Sequence, residues 1–346
     1  MAKHLQTEFN IYHDNIKLRD TDDNAILREK RDMLVKELQD YFEKKAEKEG
    51  TSKITFVAEN QGSYSMGTGI KPLPNEDYDI DLMILFNISK DSYTPVEVKK
   101  WVYDALNKQF RTVKYKNPCV RVQYHKDGEE HFHVDLALYS NDNYNDYTFL
   151  SRGRPTSADK DKIWEESEPR KLKRKINEKH SDVDDRQQMK RIIRYLKRWK
   201  DIKFNSQGNG KPTGIAFTAL ALEKFNPIIS KNSFDSSVSP DDLTAFHNLV
   251  TSIISEFGSW SNRISTKLPV KPKNDLFERL TDNQHTVLKE KLEKLKTTLF
   301  NAKNEPDPSE ASKLLNKELG EDFPIVEKDK SGQKRALAFP GKSESA

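Results

Sequence analysis

The 346-residue chain has a single cysteine, Cys119, so it can form neither an internal disulfide nor a cysteine-based zinc cluster. That usage suits a reducing cytosol. Long apolar runs are missing too: the strongest, Ile215 to Leu222, is far shorter than a bilayer span requires. The opening residues MAKHLQTEFN lack the charged-then-apolar pattern of a secretory signal. The expected location is therefore the cytoplasm, with no membrane partner. There is no repeat of solenoid period. Nor is there a charge excess: 59 Lys and Arg against 55 Asp and Glu leave a net charge of only +4. That balance does not mark a nucleic-acid binder, and no stable nucleic-acid partner is expected; charge carries information only where it clusters.

What is present is a polar but folded composition. Apolar residues make up 34%, charged residues 33% and aromatics 10%, and the last figure argues against wholesale disorder. The length suits two domains. The first 20 residues show no clear periodicity. Leu27, Leu34, Leu38, Tyr41 and Phe42 then recur at helical steps between Asp22 and Lys48, with Thr21 or Asp22 as cap and Gly50 as stop. Strands are expected at 54–58, 77–86, 119–124 and 131–139, and a helix at 95–110. This half reads as α/β. After Tyr139 the sequence turns loop-like, then strongly charged, and from Ser181 mostly helical: 181–203, 213–225, 241–257, 282–302 and 306–318. The composition shift divides the chain into residues 1–170, which include the long N-terminal helix, residues 171–325, and a polar tail at 326–346 expected to be mobile.

The chemistry sits in three places. In DYDIDLMILF (77–86), Asp79 and Asp81 project from one face of a strand whose later part is apolar on both faces. Two carboxylates held side by side are unfavourable without a cation between them. Magnesium takes oxygen ligands, commonly one or two carboxylates plus substrate phosphates. Asp135 holds a similar position in a second apolar strand, flanked by Val134 and Leu136. If the two strands are neighbours, three carboxylates converge as ligands for two ions that clamp the attacking and leaving oxygens of an in-line displacement. Gly62-Ser63 follows the first strand; a glycine there lets backbone N–H groups approach a phosphate, and the serine adds a hydroxyl donor. Each motif alone is common. Their order along the chain is the informative feature, because an acidic pair beside LMILF does nothing for stability.

Gln61-Gly62-Ser63, Asp79-Ile80-Asp81 and Val134-Asp135-Leu136, in that order, resemble the core of the DNA polymerase β-type nucleotidyltransferases. More narrowly, the chain is similar to the bacterial cGAS/DncV-like nucleotidyltransferases (CD-NTases). The narrower resemblance also draws on Leu196-Lys197-Arg198-Trp199-Lys200, on Pro212-Thr213 opening a buried helix, and on Gly320-Glu-Asp-Phe-Pro324. The fifteen residues between Ser63 and Asp79 exceed the compact spacing of the wider superfamily. The resemblance implies an α+β, bilobal fold, with a mixed β-sheet catalytic core lobe and a C-terminal helical lobe. It implies that Asp79, Asp81 and Asp135 hold two Mg2+ ions, with Mn2+ as an alternative. Asp135 would also help deprotonate the attacking ribose hydroxyl, while Gln61, Gly62, Ser63, Lys197 and Thr213 would bind the nucleotide. The implied activity joins ATP and other NTPs, with release of pyrophosphate, into a cyclic di- or oligonucleotide messenger of antiphage (CBASS) signalling. The implied partners are a downstream effector that responds to the product and a conjugating enzyme acting on the C-terminus. The competing readings are an enzyme that makes linear oligonucleotides or extends RNA, and a non-catalytic nucleic-acid-binding module; the intact Asp set argues against the latter.

Other motifs have plainer readings. Lys190, Arg194 and Lys197 share one flank of an amphipathic helix, either to meet phosphate or as a solvated basic face. RKLKRK at 170–175, with acidic neighbours, reads as a linker or solvated helix rather than a nucleic-acid contact. His125, His131 and His133 lack a fourth partner for a dedicated metal site. The four tryptophans read as core or interface residues, and Tyr64 or Tyr139 is expected near the pocket.

Overall fold

The computed structural model describes residues 5–18, 22–74, 76, 78–126, 129–142, 147–204, 210–232, 234–235 and 237–328. The expected tail therefore lies, from residue 329 onward, outside the described residues.

The acidic-then-apolar segment forms β2 (Tyr78–Phe86), which pairs antiparallel with β1 (Phe56–Asn60) and parallel with β5 (Glu129–Ser140). Beyond β5 lie β4 (Val120–Lys126) and β3 (Arg111–Tyr115), both antiparallel, giving the order β1-β2-β5-β4-β3. Past the first residue of β4, β5 pairs with β6 (Phe149–Ser151), which in turn carries β7 (Trp164–Glu166). The sheet is thus mixed, and β5 is paired on both edges. Side chains alternate across it. Leu82, Ile84 and Phe86, together with Val134, Leu136 and Leu138, face α2 (Asp22–Glu49) and α4 (Pro95–Leu106), where Leu34, Leu38, Phe42, Val98 and Trp101 complete a core. Met83 and Leu85 face the other way, against Tyr139 and Leu150. The odd positions of β2 and β5 therefore open toward the second lobe.

Local signals explain the boundaries. Thr94 accepts from the Glu97 amide (3.2 Å) and donates its own amide to the Glu97 carboxylate (3.3 Å), and Pro95 starts the helix: a capping box on α4. That helix stops at Leu106 rather than at 110: Asn107 already leaves helical geometry at ψ 86°, and Phe110, at φ 71°, precedes β3. The sequence reading missed β3, β6 and β7; they are short and bury few residues.

The second lobe is helical. α6 (Val183–Lys203) runs through its middle and buries Met189, Ile192, Ile193, Leu196 and Trp199 against α7 (Gly214–Lys224), α8 (Asp242–Ile254), α9 (Asp282–Asn304) and α10 (Pro308–Leu319). The first residues, expected to be aperiodic, instead form α1 (Gln6–Ile16), whose Phe9, Tyr12 and Ile16 are buried in this same core. Phe323 of the GEDFP segment lies edge-on to Phe9 at 5.1 Å and packs on Tyr12 at 5.3 Å. The basic run falls in α5 (Pro169–Glu178), with Ile176 buried and Arg170 paired to Glu59. Trp101 and Trp199 are core, Trp164 donates to the Tyr93 carbonyl (2.8 Å), and Trp260 is fully exposed. Among the described residues, no helix is long and apolar enough to cross a membrane.

Candidate active site

Strand register assembles the acidic centre. Asp81 of β2 pairs with Asp135 of β5, and Asp135 pairs on its other side with Arg121 of β4. The three residues form a row across adjacent strands, on the face that opens toward the helical lobe. Arg121 reaches across and donates from Nε and Nη2 to the two oxygens of Asp135, each at 2.7 Å. Such paired, charge-assisted bonds are among the stronger polar contacts in proteins. Cys119 lies close by, and burial, then the Asp135 carboxylate, push its thiol well above the usual range. Asp79 is two positions before Asp81, its backbone in register with His133. The side chains of Asp79, His125 and His131 lie outside what the structure describes, and His133 is buried. Among the described residues, no group of three or more His, Cys, Asp or Glu could hold a metal.

The Gly-Ser segment meets this row directly. The Gln61 amide donates to the Asp81 carbonyl (2.9 Å), and Gly62 and Ser63 then open the one-turn helix α3 (Gly62–Ser65). Gly62 has φ +64°, and a Cβ there would lie 1.8 Å from Asp81 Oδ2. Glycine is therefore required twice over, by backbone conformation and by the carboxylate packed against it. The turn continues into 66–69, where the Thr68 amide returns to the Ser63 carbonyl (2.9 Å).

The flank of Lys190, Arg194 and Lys197 is not a solvated basic face. Arg194 and Lys197 are buried. Lys197 Nζ donates to the carbonyl (3.1 Å) and hydroxyl (3.0 Å) of Thr68. Arg194 donates to the carbonyls of Gly67 and Gly69, and Lys190 to Asn177 Oδ1 (2.8 Å). The helical lobe thus grips the backbone that leaves the Gly-Ser turn. Burial, then the Lys200 and Arg194 cations, push Lys197 down to about 7, while Asp201 and Asp81 oppose the shift. Thr213 caps α7, its hydroxyl accepting from the Ala216 amide (3.4 Å), and is exposed. It is the next residue, Gly214, that meets Lys197: a Cβ there would sit 3.3 Å from Lys197 Cε.

Between the lobes lies a cleft of about 680 Å³, within the range of about 300–1,000 Å³ typical of small-molecule sites. Gln61, Gly62, Ser63, Asp81 and Tyr139 line it from the core lobe, and Lys197, Lys200, Gly214 and Ile215 from the helical lobe. Of the two tyrosines expected near the pocket, Tyr139 lines this cleft; its hydroxyl donates to Gln61 Oε1 (3.3 Å), and burial pushes it up to about 12. Tyr64 instead lines a separate cavity of about 690 Å³, with Lys17, Lys173 and Arg194. Sequence reasoning missed Arg152, Glu165, Lys271 and Arg279, which also line the main cleft. Arg152 directly follows β6, Glu165 lies in the short β7, and Lys271 and Arg279 belong to an irregular segment after α8, where no periodicity singles them out. It also missed Arg121, whose only signal is cross-strand register.

Three comparisons bear on this arrangement. Residues 56–139 match the family described as "Cyclic GMP-AMP synthase DncV-like, nucleotidyltransferase domain". A cyclic GMP-AMP synthase of Escherichia albertii is 28% identical over 172 residues, which cover 47% of this chain and 36% of that protein. A c-di-GMP synthase of Roseivirga ehrenbergii is 24% identical over 208 residues, covering 49% of this chain and 52% of its own length. The chain thus spans between about a third and a half of the curated relatives it matches. Among solved structures, GTP-bound Vibrio cholerae DncV superposes with a TM-score of 0.71 at 16% identity, covering 91% of this chain and 96% of that one. The same protein with the linear intermediate 5' pppA(3',5')pG gives 0.70 at 17%. At such identities the likeness is one of fold, and it extends over both lobes. The stretch matched by the family runs from β1 into β5 and holds Gly62, Ser63, Asp81 and Asp135, so the core lobe carries a DncV-like nucleotidyltransferase domain.

Proposed function

We infer that this chain is a template-independent nucleotidyltransferase that joins nucleoside triphosphates, ATP among them, into a cyclic di- or oligonucleotide with release of pyrophosphate. The observation that carries the reading is Asp81 and Asp135 in register on adjacent parallel strands, with Gly62 pressed against the Asp81 carboxylate at the mouth of the inter-lobe cleft. The relatives named as cyclic GMP-AMP and c-di-GMP synthases support the product class.

In this reading the donor triphosphate lies along Gln61, Gly62 and Ser63, where backbone amides and the serine hydroxyl donate to its oxygens. Lys197 approaches from the helical lobe with the charge to match, and Thr213 acts through its cap on α7, keeping Gly214 beside the Lys197 stem. Asp135 accepts the proton of the attacking ribose hydroxyl at a carboxylate oxygen. Asp79, Asp81 and Asp135 are assigned as ligands of two divalent ions, magnesium or alternatively manganese. The donor set fits: it is all oxygen, and a cationic guanidinium already occupies the Asp135 carboxylate. Bound ions would offset charge on the reacting phosphate and the pyrophosphate leaving group. The division into a core lobe over 1–170 and a helical lobe over 171–325 belongs to the same reading, with α1 tying the two together.

The reading extends to a cytoplasmic messenger in antiphage (CBASS) signalling, sensed by a downstream effector, and to a conjugating enzyme acting on the C-terminus. Both rest on the family alone. The test of activity is incubation of the purified chain with labelled NTPs and Mg2+ or Mn2+. Phosphatase-resistant product supports cyclisation. End-labelled chains would replace it with linear synthesis, and absence of any incorporation across all four NTPs would count against catalysis.

A further inference from the structure

Arg121 is the one side chain described in direct contact with both oxygens of Asp135. The pair is built into the sheet: Arg121 and Asp135 face each other across the β4–β5 ladder, and Asp135 faces Asp81 across the β5–β2 ladder. Neighbouring strands are about 4.8 Å apart, so the two carboxylates of the row repel each other and the guanidinium relieves that repulsion. Its two bonds use the same carboxylate oxygens that a divalent ion would use.

We propose that Arg121 is a positioning residue that restrains cation entry at Asp135, so that a divalent ion gains that carboxylate only when at least one guanidinium bond is given up. The proposal rests on the reading above, in which Asp135 is a metal ligand. Two cations on one carboxylate repel each other at short range. An ion arriving alone must therefore displace or crowd the guanidinium. An ion arriving with a triphosphate brings negative charge that offsets the repulsion. Arg121 thereby couples metal occupancy to the presence of nucleotide and keeps the Asp135 side chain aimed until then.

The test is Mn2+ binding to the nucleotide-free protein, followed by electron paramagnetic resonance, with thermal melting to check folding. Arg121→Gln should bind Mn2+ about tenfold more tightly than the wild type, the scale of one charge-assisted hydrogen bond. A nonhydrolysable NTP should narrow the difference, and adding Asp135→Asn to Arg121→Gln should erase it. Arg121→Lys, which keeps the charge but not the two-pronged grip, should show a smaller gain, and it serves if the glutamine variant does not fold. Equal or weaker Mn2+ binding by the folded variants overturns the proposal. If Mn2+ binding to the wild type is indifferent to both Asp81→Asn and Asp135→Asn, the metal-site reading itself fails, and the proposal with it.

Discussion

Lys197 of α6 closes on Thr68, donating to its carbonyl at 3.1 Å and its hydroxyl at 3.0 Å, while its stem runs past Gly214. One buried amine therefore joins three pieces of chain far apart in sequence: the loop after the Gly-Ser turn, the central helix and the start of α7. It also lines the cleft. In the proposed function this structural residue also meets the triphosphate.

A pH dependence follows. The Lys197 amine, pushed down to about 7, is charged below that pH and neutral above it. A triphosphate binds the charged form better, so affinity should fall as pH rises. Measured by calorimetry with a nonhydrolysable NTP, the wild-type dissociation constant should rise between about pH 7.5 and 9, by no more than tenfold per pH unit for a single proton. Phosphate itself, with a pKa of about 6, is already ionised there. Lys197→Arg, charged throughout, should flatten the profile. A flat wild-type profile would mean that the amine does not meet the phosphates.

Gly62 and Gly50 offer a matched pair of substitutions. Both have positive φ, +64° and +63°, but a Cβ on Gly50 meets nothing within 4 Å, whereas one on Gly62 lies 1.8 Å from Asp81 Oδ2. Gly50→Ala should cost about 1–2 kcal/mol from the left-handed backbone alone, with turnover unchanged. Gly62→Ala should add displacement of the Asp81 carboxylate and abolish nucleotide incorporation. Denaturant titration and a turnover assay on the two variants separate strain from site damage; equal turnover in both would remove Gly62 from the site.

These contacts also mark what sequence alone could reveal. Asp79-Ile80-Asp81 stood out because acidic residues abutting Leu82 to Phe86 conflict with simple burial, and the alternation of the strand fixed which face they share. Asp135 was legible for the same reason. The Arg121–Asp135 pair was not, because residues 14 apart meet only through the β4–β5 register. For Arg194 and Lys197 the sequence leaves two readings open, phosphate contact or a solvated face, because their partners, Gly67, Gly69 and Thr68, lie more than 120 positions away. Helix α1 was overlooked because its three buried residues, Phe9, Tyr12 and Ile16, sit among polar neighbours, and the core they enter is built from α6 and Phe323.

Arg194 tests the mechanical link between the lobes. Its guanidinium meets the carbonyls of Gly67 and Gly69. Arg194→Met keeps much of the volume but leaves these acceptors without their donor, at about 1–3 kcal/mol for each one that stays buried. The melting temperature should drop, and amide exchange should rise selectively over residues 66–71. The Michaelis constant for NTP should rise through loss of order in the turn. A lower melting temperature without the local change in exchange would mean that Arg194 stabilises the helical lobe only.

The acidic residues should separate in stability while agreeing in activity. Asp79→Asn, Asp81→Asn and Asp135→Asn should each lower turnover by at least about a thousandfold, since each 1.4 kcal/mol of lost transition-state stabilisation is a factor of ten and several kcal/mol are at stake. Their effects on folding should differ. Asp135 accepts both bonds from Arg121 in a partly buried setting, so its amide leaves the guanidinium short of a counter-charge and should lower stability. Asp81 has Asp135 beside it in register; neutralising Asp81 removes a like charge from the row and should cost less stability than neutralising Asp135. Denaturant melts of the two variants, set beside their turnover, decide the point. If Asp81→Asn proves the more destabilising of the two, charge repulsion across the β2–β5 pair is not what governs the nucleotide-free site.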